Sequence, residues 1–442
     1  MAEPVVSRAH ASRGREETRV PPRVLLAATA CWVATARLAE AFAGAGCRVE
    51  VVCPRRHPVK TTPAVSRLHR YRVFAPLRSV DLAIRAARPD LIIPCDDLAR
   101  AHLARLHERA SREGDSATRA QLEESLGDAS SMAVATARSD LIAVARELGI
   151  RAPATAVART PEALRRWFVD QPGPLVLKTN GSCGGGGVRI VHSADEAERA
   201  WRLLGSPPSL RRAITRSIVN RDLTDIIPWL RRTRPTVNVQ AFVSGRDANC
   251  TIACWQGAIL ASITALVVET VTPLGPASVV RLIEHPEISA AAGAIVRRLS
   301  LSGLIGLDFI LEDGTGRAHL IEMNPRAPQI CHLRLGAGRD LTGSLRAALT
   351  GEPPQGTPPT TENDVIALFP QEWLRDSGSV FLKTAYHDVP WHEPDLVSAC
   401  VDEMVAQRIW AGVARRARAT RARLLARRPN ASAGARGAAE PA

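Results

Sequence analysis

Two short runs constrain this chain more than any other stretch: Gly306-Leu307-Asp308-Phe309-Ile310-Leu311 and His319-Leu320-Ile321-Glu322-Met323-Asn324-Pro325-Arg326. Both have strand composition, and Glu312-Asp313-Gly314-Thr315-Gly316 between them has the Asp-Gly chemistry of a turn joining antiparallel strands. Successive strand side chains point to opposite faces, so Glu322 and Asn324 share a face while Met323 points into the body. The hairpin returns Asp308 beside Glu322. Two carboxylates and an amide oxygen on one face form a hard oxygen site, the kind Mg²⁺ (or Mn²⁺) uses when phosphates and water complete its octahedron. The expectation is a face for a metal-bound nucleotide.

At 442 residues the chain is too long for one ordinary core and implies two or three domains, which 45% apolar residues suffice to build. No run of 18 uncharged apolar residues occurs, and Met1 to Arg19 is polar without an apolar stretch. Neither a membrane span nor a secretory signal is expected, and cytoplasm is the default compartment. The nine cysteines contain no CxxC pair, which argues against a disulfide framework and a zinc cluster. A net charge of +14 raises the question of a polyanionic partner. With 4% aromatic residues and no stacking motif among the basic ones, nucleic acid is the weaker account and small anionic substrates the better one.

Residues 1–22 are polar and expected to be disordered. From Arg23, apolar strands (24–30, 48–53, 90–95) alternate with helices (35–45, 80–88 and from 98), which predicts parallel βαβ units in a Rossmann-like layer. No GxGxxG follows the first strand, so no dinucleotide site is implied. Asp96 and Asp97 fall at a strand's carboxyl end, where helix capping is preferred over a ligand role. An Ala-rich helix is predicted over 129–149, then a strand at Leu175–Lys178, a glycine-rich hairpin through Gly184, Gly185, Gly186 and Gly187, and a strand at 188–191. Five glycines there have no packing purpose; closing backbone N–H groups over phosphates, with Lys178 as a fixed cation, is the use preferred over a merely flexible hairpin. An Arg-rich insert (207–234), a strand at 237–243, an antiparallel meander over 249–268 and a helix from Pro286 to about Leu301 complete an α+β middle, with a cleft between the glycine hairpin and the Asp308 face.

In this order the parts resemble the ATP-grasp superfamily, which includes biotin carboxylase, carbamoyl-phosphate synthetase and the D-alanine ligases. The similarity covers roughly residues 24–350. It implies α/β and α+β architecture: a Rossmann-like pre-ATP-grasp domain (23–125) and an ATP-grasp domain of two subdomains clasping ATP (126–350); the residues beyond it read as a partly helical carboxyl-terminal extension (351–427) and a disordered tail (428–442). The resemblance also implies site residues. Lys178 matches the α-phosphate lysine, the Ala241 carbonyl and Val243 N–H would hold adenine, and Asp247 stands where a ribose-binding carboxylate is common. Asp308, Glu322 and Asn324 match the metal ligands, and Arg326 ends an Asn-Pro-Arg run. Two departures stand out: Arg138 replaces a lysine that reaches the nucleotide, and Gln240 or Ala241, depending on register, replaces the hinge acid. A guanidinium binds as a planar fork, not as a point charge.

The implied activity is ATP- and Mg²⁺-dependent ligation, in which a small-molecule carboxylate becomes an acylphosphate and an amine or similar nucleophile displaces phosphate. Lys178 and Arg326 would supply cations, and Arg281 is read equally as a third cation or as a strand arginine solvated or paired with a surface acid. A kinase-like phosphotransferase and a non-catalytic nucleotide-binding regulator are the alternatives, and a homodimer is compatible with either. Beyond the proline-rich 351–360, a helix over 401–427 carries many arginines, read as a solvated face.

Overall fold

The computed structural model describes residues 20–134, 137–171, 173–179, 187–210, 213–214, 225–354, 356 and 358–402. Most of the expected amino-terminal disorder, Gly184 to Gly186, much of the insert and the carboxyl-terminal arginine helix beyond residue 402 lie outside those residues.

The first part alternates β1 (Arg23–Ala27), α1 (Val33–Gly44), β2 (Arg48–Cys53), β3 (Val65–Arg70), α2 (Pro76–Ala87), β4 (Leu91–Pro94), α3 (Asp97–Glu113) and α4 (Ser116–Leu126). The four strands form a parallel sheet in the order β3-β2-β1-β4, so the order reverses between β1 and β4. Helices cover both faces, which is why β1 and β4 read as unbroken apolar runs. Leu26 and Val51 pack with Leu38 and Phe42 of α1; Leu25 and Ile92 pack with Val80, Ile84 and Leu103 of α2 and α3. The first strand stops at Ala27, earlier than the expected residue 30, because the N–H groups of Thr29 and Ala30 donate to the Asp96 carboxylate. The edge strand β3 has no counterpart in the sequence reading, since Ser66, Arg67, Leu68 and Arg70 are exposed and show no apolar periodicity.

The single helix expected over 129–149 is two, α5 (Ala129–Val134) and α6 (Arg138–Glu147), with Ala137 extended at φ −107° before the second. Local propensity favours one Ala-rich helix, and tertiary contacts of Arg138 override it. A four-stranded antiparallel sheet follows, β5-β8-β6-β7, made of β5 (Thr155–Val157), β6 (Leu175–Thr179), β7 (Val188–Val191) and β8 (Val237–Ala241). One of its faces packs under α7 (Pro161–Asp170) and α8 (Ala194–Leu204) through Leu164, Leu175, Leu177, Val239 and Leu204.

The third sheet has seven strands in the order β13-β12-β9-β10-β11-β14-β15. They are β9 (Gly245–Trp255), β10 (Ala258–Thr270), β11 (Ala277–Leu282), β12 (Gly303–Glu312), β13 (Ala318–Asn324), β14 (Val365–Ala367) and β15 (Tyr386–His387). Cys250, Ile252, Leu307, Phe309, Leu320 and Met323 bury one face against α6 and the helix Pro286–Arg298. β14 and β15 come from the segment after residue 350, and β14 pairs antiparallel with β11. In the β12–β13 ladder Asp308 opposes Glu322 but Phe309 opposes Leu320, leaving Ile321 as an extra residue in a bulge. Plain alternation would put Leu320 on the face of Glu322; the bulge turns Leu320 into the core while keeping Glu322 and Asn324 together.

Candidate functional site

A cleft of ≈ 330 Å³ lies between the four-stranded and seven-stranded sheets. Its upper wall follows the two-residue strand period: Val176 and Lys178 on β6, Val188 and Ile190 on β7, and Gln240 on β8. Residues between them, Leu175, Leu177 and Val239, face the helices. The lower wall takes Asp247 and Asn249 from β9, Asp308 and Ile310 from β12, and Glu322 and Asn324 from β13. Register brings the polar ones together, since Asp308 lies opposite both Asn249 and Glu322.

Asp308 is the centre of the lower wall. Its Oδ1 accepts from Asn249 Nδ2 at 2.7 Å and its Oδ2 from Asn324 Nδ2 at 2.8 Å. Burial and then the like charge of Glu322 raise its carboxyl from 3.8 to about 6, against the pull of both amides and Arg326. Two carboxylates that repel across one strand pair, with an amide beside them, are the donor set that a divalent cation relieves.

Arg138, the first residue of α6, ties the walls together. Its Nη1 donates to the Thr179 carbonyl at the end of β6 and its Nη2 to the Glu322 carboxylate. Lys178 is nearly enclosed: desolvation lowers its pKa, while Glu322, Asp308 and Asp247 act to raise it. Asp247 is exposed on the cleft wall, yet the surrounding protein still raises its carboxyl, with Lys178 acting the other way. Gly187 is buried, and its carbonyl accepts from the Thr179 N–H at 3.0 Å.

At the apolar end, Val176, Val188, Ile190, Phe242 and Leu274 give flat, greasy walls. Gln240 is buried and its amide donates to Thr155 Oγ1 at 2.9 Å, so its side chain is committed to β5. The Ala241 N–H donates to the Ala154 carbonyl, whereas the Val243 N–H has no hydrogen bond among the described residues.

Arg326 leaves β13 toward the first sheet. Its Nε donates to Asp97 Oδ1 at 3.0 Å, its guanidinium sits 5.2 Å from the Trp32 ring centroid, and its Nη2 is 3.4 Å from Asn324 Oδ1. Asp96 caps α3 through the Ala99 N–H at 2.8 Å, and the next residue is the one that meets the arginine. Arg281 does not join the cleft lining: it is exposed on β11, toward β14, and pairs with Asp364 at 3.7 Å. The strand period carries Val280 inward and leaves Arg281 outside.

Asn249 and Trp32 escaped the sequence reading, and Asp97 was named there with helix capping preferred. Asn249 had a usable signal, being two residues from Asp247 on one strand face. Trp32 and Asp97 meet Arg326 only through the packing of the first sheet on the third. Arg100, one turn along α3 from Asp97, is 2% exposed and its Nε and Nη1 have no hydrogen-bond partner among the described residues; burial lowers it to about 10.

Residues 229–328 match a family model described as an ATP-grasp domain. A search of curated proteins finds no match. Among solved structures, the biotin carboxylase domain of Hydrogenobacter thermophilus 2-oxoglutarate carboxylase, bound to MgADP and bicarbonate, is similar with a TM-score of 0.53 at 14% identity, over 76% of this chain and 71% of that one. Carboxyaminoimidazole ribonucleotide synthase from Aspergillus clavatus, complexed with ATP, gives 0.55 at 15% identity over 76% and 78%. An L-amino acid ligase from Bacillus licheniformis gives 0.50 at 15% identity over 75% of each chain. With the cleft between its two sheets, the domain match across 229–328 and these structural likenesses, the chain has the ATP-grasp fold.

Proposed function

We propose that this protein is an ATP- and Mg²⁺-dependent ligase that activates a carboxylate as an acylphosphate for attack by an amine or similar nucleophile. The observation that carries the reading is the paired Asp308 and Glu322 on one wall, whose charges act on Lys178 in the other. A binder without turnover has no need of a complete ligand set facing an enclosed cation. Asp308, Glu322 and Asn324 would hold Mg²⁺, whose part when bound is to neutralise phosphate oxygens while ATP supplies the phosphoryl group.

The chain's own residues then have separable tasks. Val176, Val188, Ile190 and Phe242 exclude water around a flat base, with the Val243 N–H as a donor to its edge. Asp247, on the same cleft wall, would accept from ribose hydroxyls. Lys178 and Arg138 present positive charge to phosphate, and burial makes that charge act through a low dielectric. Arg326, steadied by Asp97 and Trp32, lies beyond the metal face, where an acceptor carboxylate would meet the transferred group.

Protein supplied with ATP, Mg²⁺ and pooled carboxylates and amines should form ADP and free phosphate in equal amounts. A stable phosphorylated product would replace the ligase reading with phosphotransfer. Asp308→Ala combined with Glu322→Ala should lower turnover by about 10³-fold or more with an unchanged circular dichroism spectrum. Undiminished ADP formation in that variant would refute the metal assignment.

A further inference from the structure

Beyond the nucleotide cleft, past Asp308, Asn324 and Arg326, lies a second chamber of ≈ 180 Å³. The three residues line both spaces, so the chamber begins at the metal face. Among the walls that line the chamber and not the cleft, Val280, Ile330 and Leu368 are buried core residues, and Pro328 adds a rigid apolar surface. Thr251 and Gln329 are the polar exceptions. Gln329 Nε2 is enclosed by protein and donates to nothing among the described residues. An enclosed amide donor without an acceptor is costly unless something else accepts from it.

We propose that this chamber selects the acceptor of the ligation: a small monocarboxylic acid with a short apolar body, its carboxylate between Arg326 and Gln329. The inference rests on the ligase reading and names the substrate class of that site. Size comes from volume, since a protein cavity of about 150 Å³ accommodates one benzene, which limits the acid to roughly four to six carbons. Charge comes from the lining. Asp308 and Arg326 are its only ionisable residues among the described ones, and Asp308 is committed to the metal, so an α-ammonium group would find no counter-ion there. The apolar walls also disfavour bicarbonate, which would leave them facing water. Val280, Ile330 and Leu368 are held by the core of the first and third sheets, so the size limit is a rigid one.

The test is direct binding to the full chain loaded with Mg-ADP, by calorimetry or ligand-observed NMR, using bicarbonate, 3-methylbutyrate, L-valine and indole-3-propionate as probes. The branched acid should bind at least about tenfold more tightly than each of the other three. Gln329→Leu should weaken it by about tenfold with Mg-ADP affinity unchanged, which a general loss of folding would not leave intact. Leu368→Ala should admit the indole acid, and Val280→Ala serves if that variant does not fold. Equal binding of bicarbonate or of the indole acid, no effect of Gln329→Leu, or no binding of any probe would overturn the assignment. The two readings fail separately: indole-3-propionate driving ADP formation as well as small acids do would leave a ligase with the wrong chamber. Small acids that bind without ever supporting phosphate release would leave the chamber and remove the ligase.

Discussion

Arg138 spans the cleft with one side chain, donating to the Thr179 carbonyl on one sheet and to Glu322 on the other. A lysine offers one compact charge and cannot hold two acceptors in a fork. Arg138→Ala should therefore weaken Mg-ATP binding by roughly tenfold to a hundredfold, in line with about 1.5–3 kcal/mol for a hydrogen bond to a charged group. Arg138→Lys should recover only part of it. Titration calorimetry of the three proteins checks the order, and equal affinities would show that the fork is structural. The substitution of arginine for lysine was visible in the sequence; the contact with Glu322 was not, because it depends on a helix break that the Ala-rich run around it does not encode.

At the level of elements, the pairing of β9 with β12 sets the site, because it lays Asn249 against Asp308. Gly245 starts that pairing, and a Cβ there would stand 2.2 Å from the Leu311 carbonyl oxygen. Gly245→Ala should destabilise by about 2 kcal/mol or more through backbone displacement and weaken nucleotide binding with it. A thermal melt and a binding isotherm together test this; an unchanged melt would mean the strands can part there without cost. The same strands show what sequence can carry. Alternation in 306–311 and 319–324 was enough to pair Asp308 with Glu322, since a strand half buried writes its faces into the order of residues. It could not reveal the bulge at Ile321, which leaves composition untouched, nor β3, whose exposed polar residues have no face to write. Arg281 stayed undecided between cleft and surface for a related reason: alternation ranks faces, but only the neighbouring strand β14 and Asp364 decide which face is outside.

Across the whole molecule, the carboxyl-terminal segment is anchored to the first sheet by charge. Buried Asp388 accepts from Arg37 of α1 at 2.9 Å and pairs with His332 at 2.8 Å; desolvation opposes its ionisation, but His332 and Arg37 outweigh that and lower its pKa. Next to it, burial pushes Glu40 from 4.5 up to about 7; Arg37 acts to lower it, and Glu393 and Asp388 to raise it further. His392 Nε2 lies 3.6 Å from its carboxylate. Because the native state holds this proton more tightly than the unfolded chain, the group's contribution to stability falls as pH rises from about 4.5 to about 7 and stays low above that. Glu40→Gln should thus raise the melting temperature at pH 8, by the equivalent of about 1–2 kcal/mol after allowing for solvent screening, and change it little at pH 5. An equal shift at both pH values would place the effect in packing. The segment has a second consequence, for solubility. β14 lies along β11, whose Val279 and Val280 are fully buried; a chain ending at residue 350 would bare that strand as an open edge, with unpaired N–H and C=O groups beside apolar side chains. Such a truncation should elute as aggregate in size-exclusion chromatography where the full chain does not, which makes residues 365–367 the guard of the large sheet against joining its own copies.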